Sequence, residues 1–209
     1  MPAEDDDRQL MARLANGETA VMRQLIQRWE RPLLSFTLRY VQNRTVAEEL
    51  TQETFVRLYR ARERFDPAYP LASWIFRIAA NLCRNHHRWQ RRHHTTSLDA
   101  LSPTGERIPL PASDAPHPAN QLVAEEKLHW LRENIREMPH ALKTALLLHY
   151  YEGLSYHEIA RVLGCGERGV ESRLYRARKW LQQRLARAER AALPGTGLPP
   201  HVPVNKQPI

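Results

Sequence analysis

Cysteine is nearly absent from this chain. Cys83 and Cys165 are the only two, and they lie far apart, so neither a disulfide framework nor a cysteine-based zinc site is indicated. Long apolar runs are missing as well, since no segment approaches the roughly 20 apolar residues that span a bilayer. Glu4, Asp5, Asp6 and Asp7 stand where a signal peptide would carry basic residues. A cytoplasmic protein without membrane insertion is therefore expected. Few runs alternate with period two, which argues against a sheet, whereas apolar residues recur at spacings of three and four throughout. There is no Walker loop, no nucleophile constellation and no metal motif, so no catalytic residue, metal or cofactor is expected. The pairs His86, His87 and His93, His94 do not change that, because neighbouring helical residues point about 100° apart.

Proline is scarce except in two places. Of 15 prolines, Pro103, Pro109, Pro111, Pro116 and Pro118 fall between residues 95 and 120, and Pro194, Pro199, Pro200, Pro203 and Pro208 fall in the tail. Neither stretch can be a long helix. The expected fold class is all-α, with two small helical domains joined by a flexible, Pro-rich linker. The domains are residues 1–94 and 121–193, the linker is 95–120, and 194–209 is expected to be a disordered tail. The net charge of +8 divides as +5, −2, +4 and +1 over these four segments in chain order. Two basic domains flank an acidic linker, which suits a polyanionic partner.

In the front block two amphipathic helices run from Asp6 to about Val41 with a break near Asn16 and Gly17, and Leu10, Leu14, Val21, Leu25 and Trp29 are the expected core. The acidic run ahead of them matches the dipole of the helix N-terminus. The next helix mixes Glu49, Gln52 and Glu53 with Leu50, Phe55 and Tyr59. A Phe exposed among acids needs a partner to cover it; the plainer reading makes Phe55 and Tyr59 core residues. Pro67 and Pro70 force a loop, after which a helix starts at Leu71 or Ser73 with Ile75, Ile78, Ala79 and Leu82 on its apolar face. Its other faces carry Arg77, Asn81, Arg84, Asn85 and Arg88. An aromatic loop leading into a basic, Asn-bearing helix is suited to an unpaired strand, because rings stack on bases, amides read base edges and arginines hold phosphates.

From Leu154 to Trp180 the chain reads as a helix, a glycine-bearing turn and a second helix crowded with arginine. Ser155 is the expected N-cap with Glu158 as its capping-box partner. Gly164 and Gly166, on either side of Cys165, are expected to supply positive φ in the turn. The second helix starts near Glu167; Val170, Leu174, Ala177 and Leu181 face inward, leaving Glu171, Ser172, Arg173, Tyr175, Arg176, Arg178 and Lys179 outward. This is a helix-turn-helix suited to the major groove.

Three segments, AEELTQETFVRLYRAR, ASWIFRIAANLCRN and the stretch from Met138 through the second helix, together resemble the bacterial RNA polymerase sigma factors of the extracytoplasmic-function group. The resemblance implies an alternative sigma factor that binds core RNA polymerase and promoter DNA, with no catalytic step of its own. It implies that Glu49, Leu50, Gln52, Glu53 and Phe55 contact the polymerase clamp. It implies that Tyr69, Trp74, Arg77, Asn81, Arg84, Asn85 and Arg88 hold the opened minus-10 strand. Ser172, Arg173, Tyr175 and Arg176 would then face the minus-35 groove, with Arg178 and Lys179 on phosphates. An anti-sigma factor is expected as a further partner.

Two positions depart from the family pattern. Gly169 stands where a Thr is usual, and Glu171 where a basic residue is common. Glu171 repels phosphate and is suited instead to accepting from a cytosine amino group. The alternative to a polymerase subunit is a one-component helix-turn-helix regulator, against which stands the basic aromatic segment around Trp74.

Overall fold

The computed structural model describes residues 4–93 and 118–192, with side chains described for 5–93 and 127–190. Among these residues every regular element is helical. In chain order they are α1 (Glu4–Ala15), a 3-10 turn (Thr19–Val21), α2 (Met22–Val41), α3 (Arg44–Arg60), a second 3-10 turn (Arg62–Arg64), α4 (Leu71–His93), α5 (Pro118–Glu137), α6 (His140–Tyr150), α7 (Tyr156–Leu163) and α8 (Glu167–Ala192). Most of the expected linker and all of the expected tail lie outside the described residues. Helix α5 begins at Pro118, three residues before the expected start of the back block; proline is tolerated there because the first turn has no intrahelical use for its missing N–H.

The front block is built on α2, α3 and α4. Leu10, Leu14, Val21, Leu25 and Trp29 are all buried, as the periodicity requires. Phe36 and Trp29 meet the Phe76 ring edge-on at centroid distances of 5.4 and 6.1 Å, a favoured aromatic geometry. The acidic run does more than match a dipole: Arg28 of α2 donates to Asp7 at 3.0 Å and to Asp6 at 3.3 Å, fixing α1 on α2. Asn43 caps α3 by accepting from the Val46 N–H, and the Thr37 and Thr51 hydroxyls pair at 3.0 Å inside the α2–α3 contact, leaving neither oxygen unsatisfied.

The back block packs α7 and α8 onto α6. Thr144 through Leu148 are buried, and Leu154, Ile159, Val170, Leu174 and Ala177 complete the core. Leu181 and Leu163 are only partly covered at its edge.

The two blocks touch, which proline punctuation alone did not foretell. Helix α7 lies along α4, and α6 along the end of α2. A linker separates domains in sequence, but whether they dock is decided by surfaces hundreds of backbone atoms apart.

Candidate nucleic-acid interface

Helix α7 starts at the expected cap. Ser155 accepts from the Glu158 N–H, and Glu158 accepts from the Ser155 N–H at 2.8 Å. The helix ends on Gly164 at φ 63, the left-handed conformation that glycine adopts without strain. Gly166 does not share it: positive φ among these glycines belongs to Gly164 alone. Gly166 instead offers its carbonyl to the Gly169 and Val170 N–H groups, starting α8.

Along α8, Glu171, Ser172, Tyr175, Arg176, Arg178 and Lys179 are exposed, as expected, with Tyr175 at 62%. Arg173 departs from that pattern. It is half-buried, and its Nη1 donates to the Gly169 carbonyl at 2.8 Å, so the side chain folds back along its own helix. Arg176 turns back more weakly, with Nε 3.3 Å from the Ser172 carbonyl oxygen.

Helix α4 is 23 residues long and contains five arginines, three histidines and no acid. Its apolar face buries Ile75, Phe76, Ala79, Ala80, Leu82 and Cys83, while Ile78 is half-covered. The opposite side exposes Arg77, Arg84, Asn85 and Arg88, with Asn81 half-buried among them. Trp74 packs on Phe65, with ring centroids 5.3 Å apart, and is half-buried. The preceding loop is shaped by Asp66, whose side chain accepts from the Ala68 N–H and whose carbonyl accepts from the Tyr69 N–H. Sequence reasoning missed Trp89. It is 58% exposed and falls four residues after Asn85 and eight after Asn81, so it continues their row along the helix. Its ring lies 4.7 Å from that of His93. The four-residue spacing was legible, but an isolated Trp amid arginines gave no hint of its exposure.

On α3, Glu49 and Gln52 are exposed, Leu50 is half-buried, and Glu53 is held by Arg57 at 2.7 Å. The exposed Phe expected among them is not there. Phe55 is 7% exposed and belongs to the core, because α3 packs between α2 and α4 and the position's hundred-degree phase puts it inward. Tyr59, by contrast, is at the surface, with the Arg62 guanidinium over its ring.

The joint between the blocks is polar and largely buried. Lys143, 1% exposed, donates to the Tyr40 carbonyl and to the Arg136 carbonyl, and burial pushes its pKa down to about 8. The Tyr40 hydroxyl lies 2.6 Å from His140 Nδ1. Burial lowers the His140 pKa to about 4, so the ring is neutral there and suited to accept from the phenol. Glu152 accepts from the Ser35 hydroxyl at 3.2 Å and sits 3.6 Å from the Arg39 guanidinium. Burial outweighs the arginine and lifts the Glu152 pKa to about 7. Gln42, left-handed at φ 57 where α2 ends, donates to the Arg132 carbonyl at 2.6 Å. Finally, the Arg161 guanidinium of α7 lies over the Tyr69 ring. One face of a residue expected to hold an opened strand is thus occupied by the helix-turn-helix, although Tyr69 as a whole stays exposed.

Comparison with known proteins agrees with this arrangement. Residues 25–93 match the model of Sigma-70 region 2, and residues 128–181 that of Sigma-70, region 4. The RNA polymerase sigma-H factor of Pseudomonas aeruginosa is 30% identical over 189 residues, covering 88% of this chain and 96% of the relative. The ECF RNA polymerase sigma-E factor of Haemophilus influenzae is 29% identical over 181 residues, covering 86% and 95%. Among solved structures, that of CnrH in complex with the cytosolic domain of CnrY superposes with a TM-score of 0.63 at 25% identity, covering 87% of this chain and 97% of that one. Two sigma-70 regions in this order, on an all-helical frame, show that the chain belongs to the extracytoplasmic-function group of RNA polymerase sigma factors.

Proposed function

We infer that this protein is an alternative sigma factor, a non-catalytic subunit that binds core RNA polymerase and directs initiation at its own promoters. The front block carries region 2 and binds the minus-10 element; the back block carries region 4 and binds the minus-35 element. The observation that carries this reading is the presence of both regions, in order, in a chain whose α4 is acid-free and whose α8 presents a basic outer face.

In the division of labour we propose, Glu49, Leu50, Gln52 and Glu53 form the polymerase-docking face on α3, with Phe55 beneath them as the packing that holds it. Tyr69, Trp74, Arg77, Asn81, Arg84, Asn85 and Arg88 hold the opened minus-10 strand. Melting then needs no nucleotide hydrolysis: an unstacked base captured by the aromatic loop returns part of the unstacking cost as stacking and hydrogen bonding, which also makes the capture a sequence test. Ser172, Tyr175 and Arg176 face the minus-35 groove, and Arg178 and Lys179 meet phosphates. Such a protein works in the cytoplasm, where polymerase and promoter are. A relative has been solved with the cytosolic domain of CnrY, and an anti-sigma partner is the corresponding expectation here.

The test is reconstitution. Purified chain mixed with core polymerase is expected to elute as a complex and to give discrete start sites in run-off transcription from a promoter library. Tight binding to a duplex operator with no association with core would overturn the reading and favour a one-component regulator.

A further inference from the structure

We propose that Gly169 is a specificity-determining residue, because its missing side chain gives Arg173 a seat on the backbone of α8 and so holds that arginine back from the groove. This rests on the reading of α8 as the minus-35 reader. A β-carbon built on Gly169 would lie 2.9 Å from Arg173 Nη1 and 3.3 Å from Cβ and Sγ of Cys165. The first distance is too short for both groups to stay, and the group that gives way is the tip of a flexible side chain. The hydrogen bond from Nη1 to the Gly169 carbonyl is the same contact seen from the other side. A guanidinium reads guanine by donating two parallel hydrogen bonds to O6 and N7. With the side chain folded back along the helix and half-buried, Arg173 does not extend its fork toward the base edges. The base pair beneath residue 173 is therefore read loosely. Replacing Gly169 with Ala closes the seat, releases Arg173 and adds a guanine preference at that pair. Ala is the better helix former, and Cβ and Sγ of Cys165 must each give by a few tenths of an ångström to admit the methyl.

The experiment uses the full chain with core polymerase and a promoter library randomised across the minus-35 element. Wild type, Gly169→Ala, Arg173→Ala, the double variant and Arg176→Ala are compared by sequencing the templates bound. Gly169→Ala is expected to gain a guanine preference of about fivefold or more at one base pair. The double variant is expected to match Arg173→Ala, which itself stays close to wild type. An unchanged profile for Gly169→Ala, or the same change with and without Arg173, overturns the proposal. Arg176→Ala separates that failure from a deeper one: if it too leaves minus-35 selection intact, α8 is not the reader.

Discussion

The ammonium of Lys143 sits 3.3 Å from the carbonyl oxygen of Tyr40 in the last turn of α2. It lies 2.9 Å from that of Arg136 in the last turn of α5. The last four carbonyls of a helix have no partner within it, and a cation there also answers the negative end of the dipole. One side chain of region 4 thus closes two helix ends, one in each block.

Lys143→Met keeps the volume and removes the donor. Leaving two buried carbonyls without it is expected to cost about 1–3 kcal/mol in urea unfolding. The depressed pKa adds a pH signature. The unfolded chain keeps this proton up to its ordinary value of 10.5, whereas the folded protein releases it near 8. Stability contributed by this group therefore rises with pH across that window, and the Met variant should lose that rise.

Glu152 gives the opposite sign at lower pH. Its folded pKa of about 7 lies above the ordinary 4.5, so the folded protein binds a proton that the unfolded chain has released. Stability from this carboxyl is full below about 4.5, falls as pH rises to about 7, and is flat above. Urea melts of Glu152→Gln against wild type at several pH values should show that slope only in wild type. An equal slope in both would place the titration elsewhere.

On α3, docking and folding are expected to be separable. Phe55→Ala is expected to destabilise the protein by about 3–5 kcal/mol, as large-to-small changes in a packed core do. Any loss of polymerase binding in that variant would follow from the fold. Glu49→Lys changes an exposed residue and should leave the melting temperature within a degree or two while lowering affinity for core by about tenfold. Competition for core against a second sigma factor reads the difference.

Arg161→Ala frees the face of the Tyr69 ring that the guanidinium occupies. A cation over an aromatic face contributes about 0.5–2 kcal/mol, so the variant, without polymerase, should bind a single-stranded minus-10 oligonucleotide about threefold more tightly. No gain, with the fold intact, would mean that the Arg161–Tyr69 contact does not limit capture.

The helices and the cap of α7 were legible because they depend on neighbours three and four residues away. Ser155, Glu158, Leu25 and Trp29 all sit where local spacing puts them. Phe55 was not, because a Phe flanked by Glu53 and Arg57 has the same local pattern whether a third helix covers it or not. The joint was invisible for a related reason. Nothing in the local sequence around Lys143 or Glu152 marks them for burial, and only the docking of α6 against α2, about a hundred residues earlier, takes Lys143 out of solvent and half-buries Glu152. Arg173 was expected outward on helical phase, which is correct for its Cα; the empty space over Gly169 then lets the side chain fold back.

The arginine over Tyr69 has a thermodynamic corollary. If strand capture requires Arg161 to leave Tyr69, the apparent affinity for the strand is reduced to the fraction of molecules in which these two groups are apart. Any partner that holds them apart removes that reduction, and the captured strand must strengthen the partner's binding by the same factor. Polymerase and promoter can thus help each other onto this protein through an equilibrium neither of them touches directly.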